Sequence, residues 1–262
     1  MAHPRSALIN VMAGAATKAS RKLVRDFGEV ENLQVSRKGP ADFVSTADHT
    51  AEKTIRDELA KARPTYGFVM EESGVVKGKD SSNTWVVDPL DGTTNFLHAI
   101  PHFAISIALV RDGAPHAGVV YNPISDEMFW AEKGQGAFLN GRRLRVSARA
   151  NLQESLFATG IPFLGANKDA QFLSRLEAVM NQTAGVRRFG SAALDLAYVA
   201  AGRYEGYWEA GLCSWDIAAG IVLVREAGGY VCDIDGTKDM LSNGSVIAAN
   251  ANLHEPLTRL LR

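Results

Sequence analysis

A strand-like run, Trp85-Val-Val, leads without a break into Asp88-Pro-Leu-Asp91-Gly, so two carboxylates stand at the end of a segment whose other side chains belong in a core. Two more acids occupy the same kind of position. Glu71 follows the apolar stretch Tyr66-Gly-Phe-Val-Met, and Asp216 lies between Trp215 and Ile217-Ala-Ala-Gly-Ile-Val-Leu-Val. Burying a bare carboxylate is expensive, so any fold of this chain must pair these groups, hydrogen-bond them or give them a cation. Hard divalent ions do this through oxygen ligands, and Mg2+ in particular takes a few carboxylates together with water and substrate phosphate. The histidines offer no rival centre: His3, His49, His98, His102, His116 and His254 are scattered without zinc-site spacing. By its turn residues alone, Asp88-Pro-Leu-Asp-Gly-Thr also reads as a plain tight turn. The sequel Gly92-Thr-Thr-Asn is small and polar, able to open a helix, and a helix N-terminus beside cations cradles phosphate. Metal ligands adjoining such a cradle point to phosphoryl chemistry.

Around these acids the chain alternates between helical and strand patterns. Leu8, Ile9, Met12, Ala16, Leu23, Val24 and Phe27 recur at helical spacing, with Lys18, Arg21, Lys22 and Arg25 between them, so the start reads as an amphipathic helix rather than a targeting segment. Ser45-Thr-Ala-Asp48 has capping-box spacing and opens a second helix from about Asp48 to Ala62, whose Glu52, Asp57 and Glu58 read as its solvated face. From Phe103 to Val146, strands separated by turn residues form an antiparallel meander, with Gly134-Gln-Gly as a hairpin turn. Helical patterns near Ala170 to Met180, Ala192 to Ala201, Trp215 to Glu226 and Leu253 to Leu261 then interleave with strands at Tyr204 to Trp208, Tyr230 to Asp233 and Val246 to Ala249. Such interleaving implies stacked layers of helix and sheet, an α+β architecture. The expected organisation is one compact unit over residues 1–262, with an internal seam near 150–185.

Composition narrows the function. Lys and Arg (28) nearly balance Asp and Glu (29) for a net charge of -1, and 46% of residues are hydrophobic, which argues against disorder and against nucleic-acid binding driven by bulk charge. No apolar run approaches the roughly 20 residues that span a bilayer. Two cysteines make no disulfide scaffold and suit a reducing, cytoplasmic setting; Cys213, beside Trp215, reads as a small packed thiol.

Met70-Glu-Glu-Ser, Trp85-Val-Val-Asp-Pro-Leu-Asp-Gly-Thr-Thr-Asn-Phe and Leu212-Cys-Ser-Trp-Asp-Ile-Ala-Ala-Gly, in this order, resemble the signatures of the inositol monophosphatase family, in its bacterial extragenic-suppressor form. The likeness continues through Lys38-Gly, Thr46-Ala-Asp48, Gly134-Gln-Gly-Ala-Phe-Leu-Asn-Gly and Phe189-Gly-Ser-Ala-Ala-Leu-Asp-Leu-Ala-Tyr-Val-Ala-Ala-Gly, so it covers nearly the whole chain. Met70 departs from it, standing where the family usually has Gly. The resemblance implies the layered α-β-α-β-α sandwich shared with fructose-1,6-bisphosphatase. It also implies hydrolysis of inositol monophosphate by activated water, two or three Mg2+ per site, sensitivity to lithium, and a homodimer. It assigns metal coordination to Glu71, Asp88, the carbonyl of Leu90, Asp91 and Asp216, with Glu71 also catalytic. Thr93, bonded to Asp48, would orient the attacking water. Leu90, Asp91, Gly92, Thr93, Arg187, Ser191, Ala192, Glu209 and Asp216 would line the substrate, Gly92 and Thr93 through backbone N–H groups and Glu209 through the ring hydroxyls. Asp48 reads equally as a helix cap, Lys38 as a loop charge, and Arg187 and Arg188 as a surface pair or as contacts to a partner subunit. Fructose 1,6-bisphosphate, histidinol phosphate and a nucleotide 3'-phosphate remain alternative substrates. The extragenic-suppressor likeness also raises binding to RNA or the transcription machinery, for which the composition offers no basic stripe.

Overall fold

The structure, a computed structural model, describes residues 4–29, 35–39, 42–162 and 171–262, with the backbone alone for 35–39 and 42–45. The first helix, α1 (Ala7–Phe27), begins where the Ser6 hydroxyl accepts from the Ile9 N–H at 3.1 Å. It buries Ile9, Met12, Ala16, Ala19 and Leu23 on one face. A short antiparallel pair, β1 (Val35–Gly39) and β2 (Asp42–Ser45), leads into α2 (Thr46–Ala62), which lies beside α1. The Lys38 and Ser45 side chains fall outside the described residues.

Next come β3 (Tyr66–Met70), β4 (Gly74–Val76), the long β5 (Asp80–Asp91) and the single-turn α3 (Thr93–Leu97). The expected meander follows as β6 (Ala104–Arg111), β7 (Ala114–Asn122), β8 (Glu127–Glu132), β9 (Gly136–Leu139) and β10 (Arg142–Arg143). These strands form one eight-stranded sheet in the order β10-β9-β8-β7-β6-β5-β3-β4, antiparallel throughout except where β3 runs parallel to β5. Gly134-Gln-Gly turns between β8 and β9, its two glycine N–H groups donating to the Glu226 carboxylate.

The remaining elements are β11 (Leu156–Thr159), α4 (Phe172–Met180), β12 (Gly185–Arg187), α5 (Ala192–Ala200), β13 (Gly206–Ala210), α6 (Ser214–Glu226), β14 (Tyr230–Cys232), α7 (Met240–Asn243), β15 (Ser245–Ala249) and α8 (His254–Leu261). Their strands make a mixed five-stranded sheet, β12-β11-β13-β15-β14. β13 starts two residues later than its apolar pattern suggests. The cause is Glu205, whose buried carboxylate accepts the Leu156 N–H at 2.6 Å and an Arg149 N–H at 3.1 Å, so that pairing with β11 begins at Gly206.

Three apolar clusters define the layers. One lies between α1, α2 and the outer face of the eight-stranded sheet. The second joins that sheet's other face to α5, α6 and the five-stranded sheet, and the third packs α8 on the far face of the smaller sheet. The order is helix, sheet, helix, sheet, helix, as expected. Among the described residues no helix is long and apolar enough to cross a membrane.

Candidate active site

The acids singled out in the sequence meet where β5 ends and two helices begin. β5 does not turn at Asp88-Pro-Leu-Asp; it continues through Asp91 with an irregularity in its pairing to β6 between Asp88 and Asp91. That bulge points both carboxyls the same way, as bulges beside functional sites commonly do. Asp216 joins them from the first turn of α6, where its Oδ2 accepts the Cys213 N–H at 2.7 Å. One carboxylate oxygen from each of Asp88, Asp91 and Asp216 lies within 4.8 Å of the others. Cys213 is exposed at the helix cap and not packed, because its place there is set by its backbone N–H.

Each carboxylate is anchored by backbone or hydroxyl donors. Asp88 Oδ1 accepts the Leu90 N–H at 2.8 Å. Asp91 Oδ2 accepts the Ser191 hydroxyl at 2.6 Å and the Ala193 N–H at 2.7 Å. Ser191 is the buried N-cap of α5, so the helix start grips the acid from the other sheet, and its positive dipole end favours a negative partner. The Ser191 hydroxyl and the N–H of Ala192 thus serve Asp91 directly. Glu71 follows β3, its N–H held by the Val87 carbonyl at 3.2 Å. Met70, in the place usually taken by Gly, is fully buried within β3 and pairs with Val87 and Gly74.

The electrostatics express crowding. Burial pushes the Asp88 carboxyl well above its usual range, and the neighbouring Glu71, Asp91 and Asp216 carboxyls push it further. Burial raises Asp216 strongly too, with Asp91 adding to it and the Cys213 N–H opposing. Asp91 is pushed up to about 6 by burial, against the hydrogen bonds from Ser191, Ala193 and Ala192. Acceptors converging this way, all oxygen and all anionic when ionised, fit a hard divalent cation.

Beside the cluster, Gly92 takes φ +96°, and a Cβ there would lie 3.1 Å from the His102 carbonyl and 3.3 Å from that of Gly190. Only glycine suits both the left-handed backbone and the close approach. Thr93 opens α3, and its hydroxyl has two acceptors in reach, Leu90 O at 2.9 Å and Asp48 Oδ1 at 3.1 Å. Asp48 is wholly buried in the first turn of α2, so it faces inward to Thr93 instead of capping at the surface. Asn95 ties the region together, its Nδ2 donating to His102 O at 2.8 Å and Phe189 O at 2.7 Å.

On the far rim, Glu209 in β13 accepts the Tyr207 hydroxyl. A Cβ on Gly160 would lie 1.9 Å from the Glu209 carboxyl, so the glycine is what leaves room for the acid. Burial lifts Glu209 to about 7, with the Tyr207 hydrogen bond opposing and Asp91 adding. Arg187 is exposed and donates to the neighbouring Val186 carbonyl at 3.2 Å; Arg188 is the arginine whose charge reaches Glu209 and Asp195. Two participants escape the sequence reading, and Asn95 stands in the Gly92-Thr-Thr-Asn run without a role of its own. Gly160 carries no local pattern, and Glu52, expected on a solvated face, is 2% exposed because its carboxylate serves the turn after β3. An acid at a helical position next to Ala51 and Ile55 was the available signal.

The sequence pattern of the inositol monophosphatase family matches residues 5–262. The chain belongs to the inositol monophosphatase family. It is therefore a phosphatase, a hydrolase of phosphoric monoesters. Inositol-1-monophosphatase of Mesorhizobium japonicum is 60% identical over 258 residues, covering 98% of this chain and 97% of that protein. The Nus factor SuhB of Escherichia coli is 42% identical over 268 residues, covering 99% of both. The crystal structure of extragenic suppressor protein suhB from Bartonella henselae superposes with a TM-score of 0.95 at 57% identity, covering 98% of this chain and 99% of that one. This inositol monophosphatase family member is thus similar along nearly all of its residues both to a protein named inositol-1-monophosphatase and to a protein named Nus factor SuhB.

Proposed function

We infer that the protein is a Mg2+-dependent phosphomonoesterase that hydrolyses inositol monophosphate to inositol and phosphate. The observation carrying this reading is the convergence of Asp88, Asp91 and Asp216 beside the Thr93–Asp48 pair. Glu71, Asp88, the Leu90 carbonyl, Asp91 and Asp216 would hold two or three Mg2+. Bound there, Mg2+ supplies Lewis-acid polarisation of the phosphate, neutralisation of the leaving oxygen and acidification of water.

The protein's own groups divide the rest. The single Thr93 hydroxyl proton serves either Leu90 O or Asp48. With the Leu90 carbonyl engaged elsewhere the proton goes to Asp48, leaving the Thr93 oxygen to accept from the attacking water and orient it. Glu71, whose charge acts on Asp88, would take up that water's proton. Backbone N–H groups of Gly92 and Thr93 cradle phosphate oxygens. Glu209 accepts hydrogen bonds from ring hydroxyls, with Arg187, Ser191 and Ala192 completing the rim. By the family resemblance, lithium would inhibit by competing for one of these cation positions, with an uncompetitive pattern. The family resemblance supports a cytoplasmic homodimer, which light scattering in solution tests.

The deciding experiment is phosphate release with Mg2+ from inositol 1-phosphate, fructose 1,6-bisphosphate, histidinol phosphate and a nucleotide 3'-phosphate in parallel. Inositol 1-phosphate is expected to give the highest kcat/KM, and a higher value for another substrate reassigns the enzyme within the same chemistry. The likeness to a protein named Nus factor favours one second reading, a binding role at RNA or the transcription machinery. Capture of such partners that survives Mg2+ chelation, by a protein inactive on all four esters, favours it over catalysis.

A further inference from the structure

Glu71 sits in a turn of three residues, Glu71-Glu72-Ser73, between β3 and β4. Its backbone is fixed on one side by β5, through the Val87 carbonyl. On the other side the turn is gripped by Glu52, which comes from α2, twenty residues earlier in the chain. Glu52 Oε2 accepts the Glu72 N–H at 2.7 Å, and Glu52 Oε1 accepts the Ser73 hydroxyl. Both oxygens of one buried carboxylate are thus spent on the residues immediately after Glu71.

Two facts make this more than an ordinary buried hydrogen bond. First, a carboxylate is a costly way to satisfy one N–H and one hydroxyl next to a cluster that already crowds acids, so a structural role alone is poorly served by it. Second, α2 carries Asp48 on the same buried side, one turn before Glu52, and Asp48 reaches Thr93. One helix therefore contacts both the turn bearing Glu71 and the hydroxyl of Thr93.

We propose that Glu52 is a positioning residue that locks the Glu71-Glu72-Ser73 turn, presents the Glu71 carboxylate to Asp88 and so sets the affinity of the site for a divalent cation. This rests on the reading of Glu71 as a metal ligand. Loss of groups that orient metal ligands weakens metal affinity by about 10- to 100-fold. Glu52→Leu removes both acceptors at similar volume. Glu52→Gln keeps one acceptor for the Glu72 N–H and turns its amide towards the Ser73 oxygen, which accepts in place of donating.

The test is calorimetric titration of MgCl2 into metal-free wild type, E52L and E52Q, with melting in EDTA as the control for folding. E52L is expected to bind Mg2+ about 10- to 100-fold more weakly while E52Q stays within about threefold of wild type, and excess Mg2+ should return most of kcat to E52L. Wild-type affinity in E52L, or equal losses in E52L and E52Q, overturns the proposal. If E52L does not fold, S73A at the exposed end of the turn takes its place, with an expected loss of about tenfold for one hydrogen bond to a carboxylate. Unchanged Mg2+ affinity in S73A then overturns the proposal. Wild type that binds no Mg2+ refutes the metal reading itself, and this is distinct from any difference among variants.

Discussion

Two corners of the molecule bury acids, and they do so differently. At the end of β5, Asp88, Asp91 and Asp216 each accept a nearby N–H, and one carboxylate oxygen from each lies within 4.8 Å of the others. Around β13, Glu209 meets the Tyr207 hydroxyl, and behind it Asp195 Oδ1 and the Tyr204 hydroxyl are buried without a hydrogen-bond partner among the described residues. Burial holds the Asp195 carboxyl well above its usual range, with Glu209 and Asp91 adding to it and Arg188 opposing. Converging acceptors with no donors between them ask for a cation. A mixture of acceptors and hydroxyls suits a neutral, hydroxyl-bearing molecule. On the proposed reading, the same physical cost would be met by metal on one side and by polar substrate on the other.

The largest effect that tests this division is Asp91→Asn. The amide oxygen still accepts from Ser191 and Ala193, so the fold is kept, but one charge leaves the cluster. Several kcal/mol of charge stabilisation at the metal corresponds to a fall in kcat/KM of about a thousandfold or more. Near wild-type turnover at saturating Mg2+ removes Asp91 from the metal shell and merges the two corners into one.

Glu209→Gln probes the opposite corner. A mismatched hydrogen bond to a charged group is worth about 1.5 to 3 kcal/mol, so kcat/KM for inositol 1-phosphate is expected to drop about ten- to a hundredfold. A hydroxyl-free aryl phosphate should be almost unaffected. Equal losses on both substrates, or a raised Mg2+ requirement, place Glu209 among the metal ligands.

The contrast also explains what could be read from the sequence. Asp88 to Asp91 and Asp216 stand out because each is a charge set against contiguous apolar neighbours, and the layers follow from helical and strand periods. Glu52 reads as a surface acid because Asp57 and Glu58 on the same helix behave as such, although its spacing to Ile55 and Leu59 places it on the buried face. β12 spans only Gly185–Arg187, too short for alternation to register. Gly160 is informative only once Glu209 lies against it.

A third test uses pH. Asp91, with an ordinary value of 3.8, is raised to about 6, and Glu209, ordinarily 4.5, to about 7, while Asp88 and Asp216 are raised as well. The folded metal-free protein holds these protons more tightly than the unfolded chain, so their contribution is intact below about pH 4 and lost as pH rises through 6 to 7. On the proposed reading, Mg2+ would reverse the loss at the metal corner, because it would bind the ionised form. Mg2+ at about 100 times its Kd adds about 2.7 kcal/mol, a rise in Tm of about 5–10 °C at pH 8, and clearly less at pH 5. An equal rise at both pH values separates metal binding from these acids.

The smallest expected effect isolates the second corner from the first. Tyr207 donates to Glu209 and is the contact that holds its carboxyl down against burial. Tyr207→Phe removes that donor while keeping the ring, and one hydrogen bond to a charged group shifts a pKa by about one unit. With Glu209 moved from about 7 to about 8, the ionised fraction at pH 7 falls from half to about a tenth. Turnover of inositol 1-phosphate should therefore drop about fivefold at pH 7 and recover above pH 9. The aryl phosphate, which never meets Glu209, should show no such displacement of its acidic limb. If both substrates shift together, the group that titrates belongs to the shared hydrolytic centre, and Glu209 does not act on ring hydroxyls. If neither shifts, Tyr207 contributes packing alone, and the ionisation of Glu209 is controlled from the Asp91 and Arg188 side of the pocket.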